Sequence, residues 1–141
     1  MAEEHPITID AIDHVVIRAK NLETMVRFYR DVLGCLEERR KSNIGLVQLR
    51  AGRSLIDLVD VAGALGREGD KEPAPATRNM DHFCVQVVPW DSDVIGTHLS
   101  NHGIEVGDEV TRYGALGDGP SIYIEDPEGN TVELKGPPQA A

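Results

Sequence analysis

Hydrophobic and polar positions alternate with two different periods along this chain. Residues 14 to 19 alternate with the period of a β-strand. Apolar residues at helical spacing follow from 22 to 33, after Asn21 as N-cap, and Gly34 ends that helix. Three further strands are predicted, at 36–40, 46–50 and 55–59. The first part of the chain therefore has the predicted order β-α-β-β-β.

The second part of the chain repeats this order. Residues 80 to 88 predict a strand that Pro89 ends, and a helix carrying Val94 and Leu99 stops at Gly103. Three strands are predicted after it, at 104–110, 121–125 and 131–135. Each helix covers only one face of its own sheet, so the other faces meet each other or enclose a ligand cavity. The predicted fold class is α+β, built from two β-α-β-β-β modules.

A chain of 141 residues has the length of one domain. We predict that the domain spans 12–136, with module one at 12–61 and module two at 80–136. The segment 62–79 mixes glycines and prolines with charged residues. Such a composition is typical of a mobile linker that acts as a lid or reaches a partner.

Composition and charge argue against two classes of partner. The formal net charge is −10 and the only short basic run is Arg39-Arg40-Lys41, so no nucleic acid is expected. No apolar stretch approaches the roughly 20 residues of a membrane span, and the acidic N-terminus lacks the apolar core of a signal peptide. We therefore expect a cytoplasmic protein with no membrane partner, in which Cys35 and Cys84 form no structural disulfide.

A histidine and an acid recur at matched places in the two modules. His14 and His82 open the first strands, 82 − 14 = 68 residues apart, and Asp57 and Glu133 lie in the last strands, 133 − 57 = 76 residues apart. Three of them occupy the mixed polar face of their strands, whereas Asp57 stands between aliphatic face neighbours and must be paired, liganded or neutralised. Two imidazoles and two carboxylates predict a site for one divalent metal, and Ni, Co, Zn, Mn and Fe(II) all suit these donors.

Other interpretations of individual residues stay open. In the alternative interpretation, both histidines are half-buried residues that only form hydrogen bonds, and both acids lie at solvent-exposed strand ends. Cys84 shares a strand face with His82, where it is either a metal ligand or a small buried filler. Tyr113 either lines the mouth of a cavity or is a plain loop aromatic. Further candidates for inward-facing substrate contacts are Gln48, Gln86 and Tyr123.

Four short segments carry a family resemblance. They are Asp13-His14, Phe28-Tyr29-Arg30-Asp31-Val32-Leu33-Gly34, Asp81-His82 and Asp126-Pro127-Glu128-Gly129-Asn130-Thr131-Val132-Glu133-Leu134. With them the chain resembles the vicinal oxygen chelate superfamily, which includes glyoxalase I, fosfomycin-resistance enzymes, extradiol dioxygenases and bleomycin-binding proteins. The resemblance covers about Ile12 to Gly136. It implies two βαβββ modules that form a cup-shaped mixed sheet, often completed by a second subunit, and hence a homodimer.

The resemblance also implies roles for the matched residues. His14, His82 and Glu133 correspond to family metal ligands, and Asp57 falls where glyoxalase I has a metal-binding glutamate. Aspartate is one methylene shorter, so Asp57 binds the metal directly, binds it through water or serves only as a base. Glu133, with Asp57 as the other candidate, is then the residue that moves the proton.

The function implied by the resemblance is that of a divalent-metal-dependent lyase or isomerase similar to glyoxalase I. Its substrate would be a small oxygen-chelating molecule such as a hemithioacetal, although no glutathione-binding set is identified in the sequence. Two alternatives are an Fe(II)-dependent extradiol-type dioxygenase and a non-catalytic protein that binds and sequesters an antibiotic. Similar short bacterial proteins are often labelled glyoxalase-related or virulence-associated.

Overall fold

Module one folds in the predicted order. The structure is a computed structural model that describes residues 5–6, 9–66 and 80–138 of the chain. Its elements are β1 (His14–Ala19), α1 (Leu22–Arg27), β2 (Leu36–Lys41), β3 (Leu46–Ala51) and β4 (Ser54–Asp60), with a π-helical turn at Phe28–Val32 and a 3₁₀ turn at Ser42–Ile44. The strands form one sheet in the order β1-β4-β3-β2. Strands β1 and β4 run parallel, and the other neighbours run antiparallel.

Module two has the same topology. Its elements are β5 (His82–Gln86), α2 (Ser92–Asn101), β6 (Val110–Gly114), β7 (Gly117–Glu125) and β8 (Thr131–Lys135). The sheet order is β5-β8-β7-β6, with β5 and β8 parallel and the other pairs antiparallel. Two mixed four-stranded sheets with one helix each confirm the predicted α+β fold of two β-α-β-β-β modules.

Local signals fix the ends of helix α1. The Asn21 side chain accepts a hydrogen bond from the backbone N–H of Thr24 at 3.1 Å, as expected of an N-cap. Gly34 has φ = +77°, a left-handed conformation that glycine adopts without steric cost. The chain can therefore leave the helix at this residue and turn into β2.

One continuous apolar core joins the two modules. It contains Ile56 and Leu58 of β4 together with Val132 and Leu134 of β8. The buried aromatic residues of the helical segment, Phe28 and Tyr29, belong to the same cluster. Because strand side chains alternate between faces, the residues between these positions point away from the shared core. These outward faces carry the candidate site residues.

A turn of module two holds the helix of module one. The Tyr29 hydroxyl donates to Asp126 Oδ2 at 2.8 Å, and Asp126 is only 4% exposed. The Glu128 carboxylate in the same turn accepts the backbone N–H groups of Lys20 and Asn21, both at 2.8 Å. The two longest sequence motifs thus contact each other and dock the modules together.

One predicted strand, at 104–110, is wrong. Strand β6 begins only at the last residue of that range. The backbone N–H of Ile104 donates to the carbonyl of Leu99 at 2.9 Å, which continues the end of helix α2. At the other end, Glu109 Oε1 accepts from the Ser92 hydroxyl at 2.6 Å. The segment is therefore held beside α2, and its alternating pattern does not form a ladder with β7.

The predicted linker is only partly visible. Residues 67–79 lie outside the described residues, and with them most of the expected lid or partner clasp. Just before them, the Gly66 carbonyl accepts from Arg18 Nε at 3.3 Å. Within the described ranges, no helix is both long and apolar enough to cross a membrane.

Candidate metal centre

The strand register places a histidine and an acid in the same relation in both modules. In module one, His14 lies opposite Leu55 on β4, two residues before Asp57. In module two, His82 lies opposite Thr131 on β8, two residues before Glu133. In each sheet the acid therefore lies on the strand next to the histidine, diagonally across from it, and both side chains are on the face turned away from the core. The repeated sequence pattern therefore corresponds to two matched half-sites.

The half-site of module two is closely connected. Glu133 is 7% exposed, and its Oε1 lies 3.1 Å from His82 Nε2. The hydroxyl of Ser121, a fully buried residue, donates to Glu133 Oε2 at 2.7 Å. The ring of Tyr123 meets the imidazole of His82 edge to face, with 5.5 Å between the centroids. These contacts fix both the carboxylate and the imidazole.

The half-site of module one contains an incompletely bonded carboxylate. Asp57 is 5% exposed, and its Oδ2 accepts from Gln48 Nε2 at 3.1 Å. Arg39 Nε in turn donates to Gln48 Oε1 at 2.7 Å. Among the described residues, Asp57 Oδ1 is the one buried side-chain polar atom without a hydrogen-bond partner. A buried carboxylate oxygen of this kind is destabilising unless a cation or a proton satisfies it.

Each histidine is held by the aspartate that precedes it, a role that was not assigned from the sequence. Asp13 Oδ2 lies 2.7 Å from His14 Nδ1, and Asp81 Oδ2 lies 2.7 Å from His82 Nδ1. Such carboxylates orient imidazole ligands and leave Nε2 for a metal. The signal that could have found them is the Asp-His pair, which occurs at the same place in both modules.

These carboxylates also raise the pKa of both histidines. For His14 the hydrogen bond that the imidazole donates to Asp13 is the main cause, with a smaller electrostatic contribution from Asp57. For His82 the hydrogen bond to Asp81 is the largest cause, and the hydrogen bond to Glu133 also raises the pKa. Both ring nitrogens of His82 face carboxylate oxygens, and each of these contacts favours the protonated imidazole when no metal is present. Nε2 of His82 and Oε1 of Glu133 thus lie at a place suited to a cation.

The other candidate residues differ in their relation to these half-sites. Gln48 and Tyr123 contact Asp57 and His82 directly, as described above. Gln86 is exposed on β5, on the same strand face as His82. Tyr113 is 83% exposed and lies in β6, opposite Asp118 of the β6–β7 hairpin, so the interpretation as a plain loop aromatic is wrong.

Cys84 lies directly opposite Glu133 in the ladder between β5 and β8. It is exposed rather than buried, which makes its interpretation as a buried filler wrong. Partial desolvation of the thiol, and then the neighbouring Glu133, raise its pKa to about 11. The thiol is therefore protonated at neutral pH, and the thiolate that metals prefer is not preformed.

A single chain does not bring all four predicted metal ligands, His14, Asp57, His82 and Glu133, together. In the part of the chain that the structure describes, no three His, Cys, Asp or Glu side chains converge closely enough to hold a metal ion. His82 and Glu133 form one pair, and His14 and Asp57 form the other. Each pair faces away from the core that joins the modules.

Comparisons with known proteins place this geometry in context. The family model of the Glyoxalase/Bleomycin resistance protein/Dioxygenase superfamily matches residues 11–134. Virulence protein STM3117 of Salmonella typhimurium is 31% identical over 135 residues, which cover 94% of this chain and 88% of that protein. Its crystal structure superposes with a TM-score of 0.75 at 28% identity, covering 94% of this chain and all (100%) of that one.

A structure named as an enzyme is also similar. The crystal structure of lactoylglutathione lyase from Agrobacterium tumefaciens has a TM-score of 0.65 and 27% identity, and the match covers 91% of this chain and 94% of that one. The crystal structure of fosfomycin resistance protein FosX from Listeria monocytogenes shares the fold, with a TM-score of 0.67 at 20% identity. This match covers 91% of this chain and 92% of the FosX chain.

Proposed function

The chain belongs to the Glyoxalase/Bleomycin resistance protein/Dioxygenase superfamily, and on that premise we propose that it is a divalent-metal-dependent lyase or isomerase resembling glyoxalase I. Its substrate is a small molecule with two neighbouring oxygens, such as a hemithioacetal. The observation that carries this proposal is the pair of matched half-sites, each with one histidine and one buried carboxylate. The similarity to a lactoylglutathione lyase supports the same reaction class.

The proposed metal ligands are His14, Asp57, His82 and Glu133, and their surroundings fit a cation. Both histidines use Nδ1 for an aspartate, so Nε2 is the atom that would bind the metal, and Nε2 of His82 lies 3.1 Å from Oε1 of Glu133, the neighbouring proposed ligand. The bare Oδ1 of Asp57 is a buried acceptor that a cation would satisfy. Imidazole and carboxylate donors suit Ni, Co, Zn, Mn or Fe(II), and the proposed cofactor is one such ion for each set of these four ligands.

We further propose that two copies of the chain complete the site, with His14 and Asp57 from one subunit and His82 and Glu133 from its partner. The support is that each half-site faces away from the core that joins the modules of one chain. The face of β1 beside His14 is open, since Val16 is 54% exposed there. An isologous dimer would use this face twice and would contain two identical sites.

The bound metal would supply Lewis acidity toward the two substrate oxygens. The proton transfer between neighbouring substrate carbons is the work of Glu133 Oε1. Ser121 holds Oε2 of the same carboxylate through its hydroxyl, so the carboxylate cannot rotate freely and Oε1 stays beside His82. Asp81 holds the imidazole of His82, and the edge of the Tyr123 ring limits its motion from the side.

The first test is metal loading. The purified protein is dialysed against each of Ni, Co, Zn, Mn and Fe(II), and bound metal is measured by mass spectrometry together with turnover of methylglyoxal with several thiols. We expect stoichiometric metal in the wild type, loss of metal in His82→Ala, and retention in the control His102→Ala, which removes a histidine of helix α2's C-cap. A wild type that takes up no metal from any of the five would refute the proposal.

Mixing two inactive variants tests whether the site is shared. In a shared site, His14→Ala and His82→Ala homodimers each lack one ligand in both sites. A heterodimer of the two variants combines an intact His14 with an intact His82 in one site, so subunit exchange restores metal binding and activity. If both histidines of a site came from one chain, mixing would restore nothing, and monomers at micromolar concentration in sedimentation would likewise contradict the dimer.

A further inference from the structure

Strand β7 is longer than the neighbour that pairs with its outer edge. β7 runs from Gly117 to Glu125, but β6 pairs with it only as far as Val110 opposite Ser121. Beyond Ser121, β7 continues to pair with β8, up to Glu125 opposite Thr131. The last part of β7 is therefore bonded on one edge, and its other edge has no strand partner among the described residues.

Backbone polar groups of two β7 residues point to this open edge. The carbonyl of Pro120 and the N–H of Asp126 both bond toward β8, to Gly136 and Asn130. Successive residues of a strand direct their backbone groups to opposite edges, so those of Tyr123 and Glu125 point away from β8. Two N–H donors and two carbonyl acceptors, on residues spaced about 7 Å apart, thus follow the open edge.

A cavity of about 810 Å³ lies along this edge. The segment before β6 forms one side of it and is held away from β7 at Glu109, whose Oε1 accepts from the Ser92 hydroxyl of helix α2 at 2.6 Å and from Trp90 Nε1 at 3.2 Å. Its walls include Ile104, Glu105, Val106, Tyr123, Glu125 and Thr131. The cavity thus combines two apolar side chains, two carboxylates on exposed residues and the open strand edge.

The cavity adjoins the half-site of module two. Tyr123, one of the lining residues, has its ring edge to face with the imidazole of His82, and Thr131 is the residue opposite His82 in the ladder. A molecule whose reactive end lies at His82 and Glu133 can therefore extend into the cavity. Peptide-like groups bind to open strand edges by adding a strand, and carboxylates favour a cationic partner.

We propose that this cavity binds an extended, amide-bearing, positively charged arm of the substrate, which adds to β7 at Tyr123 and Glu125. The proposed function places the reactive end at the metal half-site, but binding of the arm requires no metal. The backbone groups of Tyr123 and Glu125 recognise the amides, Ile104 and Val106 pack against the apolar part, and Glu105 and Glu125 attract the charge. A strongly anionic arm is disfavoured at this place.

The test uses the peptide acetyl-Lys-Val-Lys-amide with the ¹⁵N-labelled full chain. The amide signals of Tyr123 and Glu125 should shift on titration at millimolar concentration, and their hydrogen exchange should slow. The same peptide with N-methylated backbone amides should not produce this effect, and acetyl-Glu-Val-Glu-amide should bind more weakly. Absence of shifts at both residues, or equal shifts with the N-methylated peptide, would overturn the proposal.

Charge variants add an independent measurement. Glu105→Gln should weaken the lysine peptide by about two- to fivefold, as expected of a partly exposed charge pair. The matched control Asp93→Asn removes an exposed acid from helix α2 outside the cavity lining and should leave the affinity unchanged. Equal loss in both variants would mean that net charge, and not the cavity, attracts the peptide, which would overturn the proposal.

Metal uptake of the same samples separates this inference from the proposed function. Metal binding without peptide binding would refute the arm site and leave the metal-dependent function standing. Peptide binding at Tyr123 and Glu125 without any metal uptake would support the cavity as a ligand site and refute the proposed chemistry.

Discussion

Replacing Asp57 should make the metal-free protein more stable while abolishing its response to metal. Asp57 is 5% exposed, its Oδ1 has no hydrogen-bond partner, and its Oδ2 has only Gln48. A buried polar group without a partner costs about 1–3 kcal/mol, and more when it is charged. Asp57→Val removes both oxygens and matches the aliphatic face neighbours on β4. Gln48 loses an acceptor but is only half-buried, so water can replace it.

The expected gain is therefore about 1–3 kcal/mol in the metal-free state, which for a domain of this size raises Tm by about 3–10 °C. Metal acts in the opposite direction. At a free concentration of about one thousand times its Kd, metal stabilises the wild type by about 4.1 kcal/mol, which exceeds the largest gain expected of the variant. The variant lacks a ligand and gains little. The order of the two Tm values should consequently reverse when metal is added.

Differential scanning calorimetry with a chelator and then with excess Ni, Co or Zn measures both states. Asp57→Asn is the matched control, because it keeps the shape of the side chain and removes only the charge. It should show a smaller gain without metal and the same missing response to metal. If Asp57→Val is less stable than the wild type without metal, Asp57 does not destabilise the metal-free protein. If metal raises the Tm of the variant as much as that of the wild type, Asp57 is not a metal ligand.

Three other predictions test the contacts around the site. Tyr29→Phe removes the buried hydrogen bond to Asp126 and should cost about 1.5–3 kcal/mol in a urea unfolding curve; no change in midpoint would mean that this contact does not dock the modules. Ser121→Ala frees Glu133 Oε2, so turnover should fall about tenfold or more while metal content stays constant; unchanged turnover would show that the hydroxyl does not position the carboxylate. Asp13 and Asp81 raise the pKa of His14 and His82, so these two pairs stabilise the metal-free fold fully below a pH of about 6.5 and lose that effect as the pH rises through the raised pKa. Metal uptake has the opposite dependence, because the metal needs the neutral imidazole, and it is lost as the pH falls through the same pKa. Asp81→Asn should shift the midpoint of metal uptake to lower pH, and a midpoint at the same or higher pH would contradict the assignment.

The sequence predicted the fold well because its strongest signals are local. The N-cap at Asn21 and the left-handed Gly34 define helix α1 without help from distant residues. The strand at 104–110 failed for the opposite reason. Its alternation is that of a strand, but side chains of helix α2 hold the segment and leave no neighbour in register. A distant hydrogen bond of this kind cannot be read from periodicity.

The candidate site shows the same division between local and distant information. Alternation indicated that His14, His82 and Glu133 point away from the apolar face, and their apolar neighbours do belong to the core or pack against it: Val15, Phe83, Val132 and Leu134. It could not show that Asp57 has a bare oxygen or that Ser121 holds Glu133, because both facts depend on the pairing of separate strands. The relation of the two half-sites depends on how the modules pack, and no spacing along the chain encodes that.

The ladder register also separates the two carboxylates by role. Asp57 lies opposite Gln48, and the equivalent residue opposite Glu133 is Tyr123. Two residues farther along each ladder, on the same face of the sheet, module one has the buried aliphatic pair Leu46 and Val59, whereas module two has the buried polar pair Ser121 and Lys135.

A proton-transferring carboxylate needs a group that holds it in both of its protonation states, and module two supplies the Ser121 hydroxyl, which donates to Glu133 Oε2 and leaves Oε1 to gain and lose the proton. Asp57 has one amide and aliphatic surroundings, which suit a fixed charge on a cation better than a group that gains and loses a proton. For this reason we assign the proton transfer to Glu133 and metal binding alone to Asp57. Glu133→Gln should then reduce turnover far more than it reduces metal content, whereas Asp57→Asn should reduce both in parallel, and the reverse pattern would exchange the two roles.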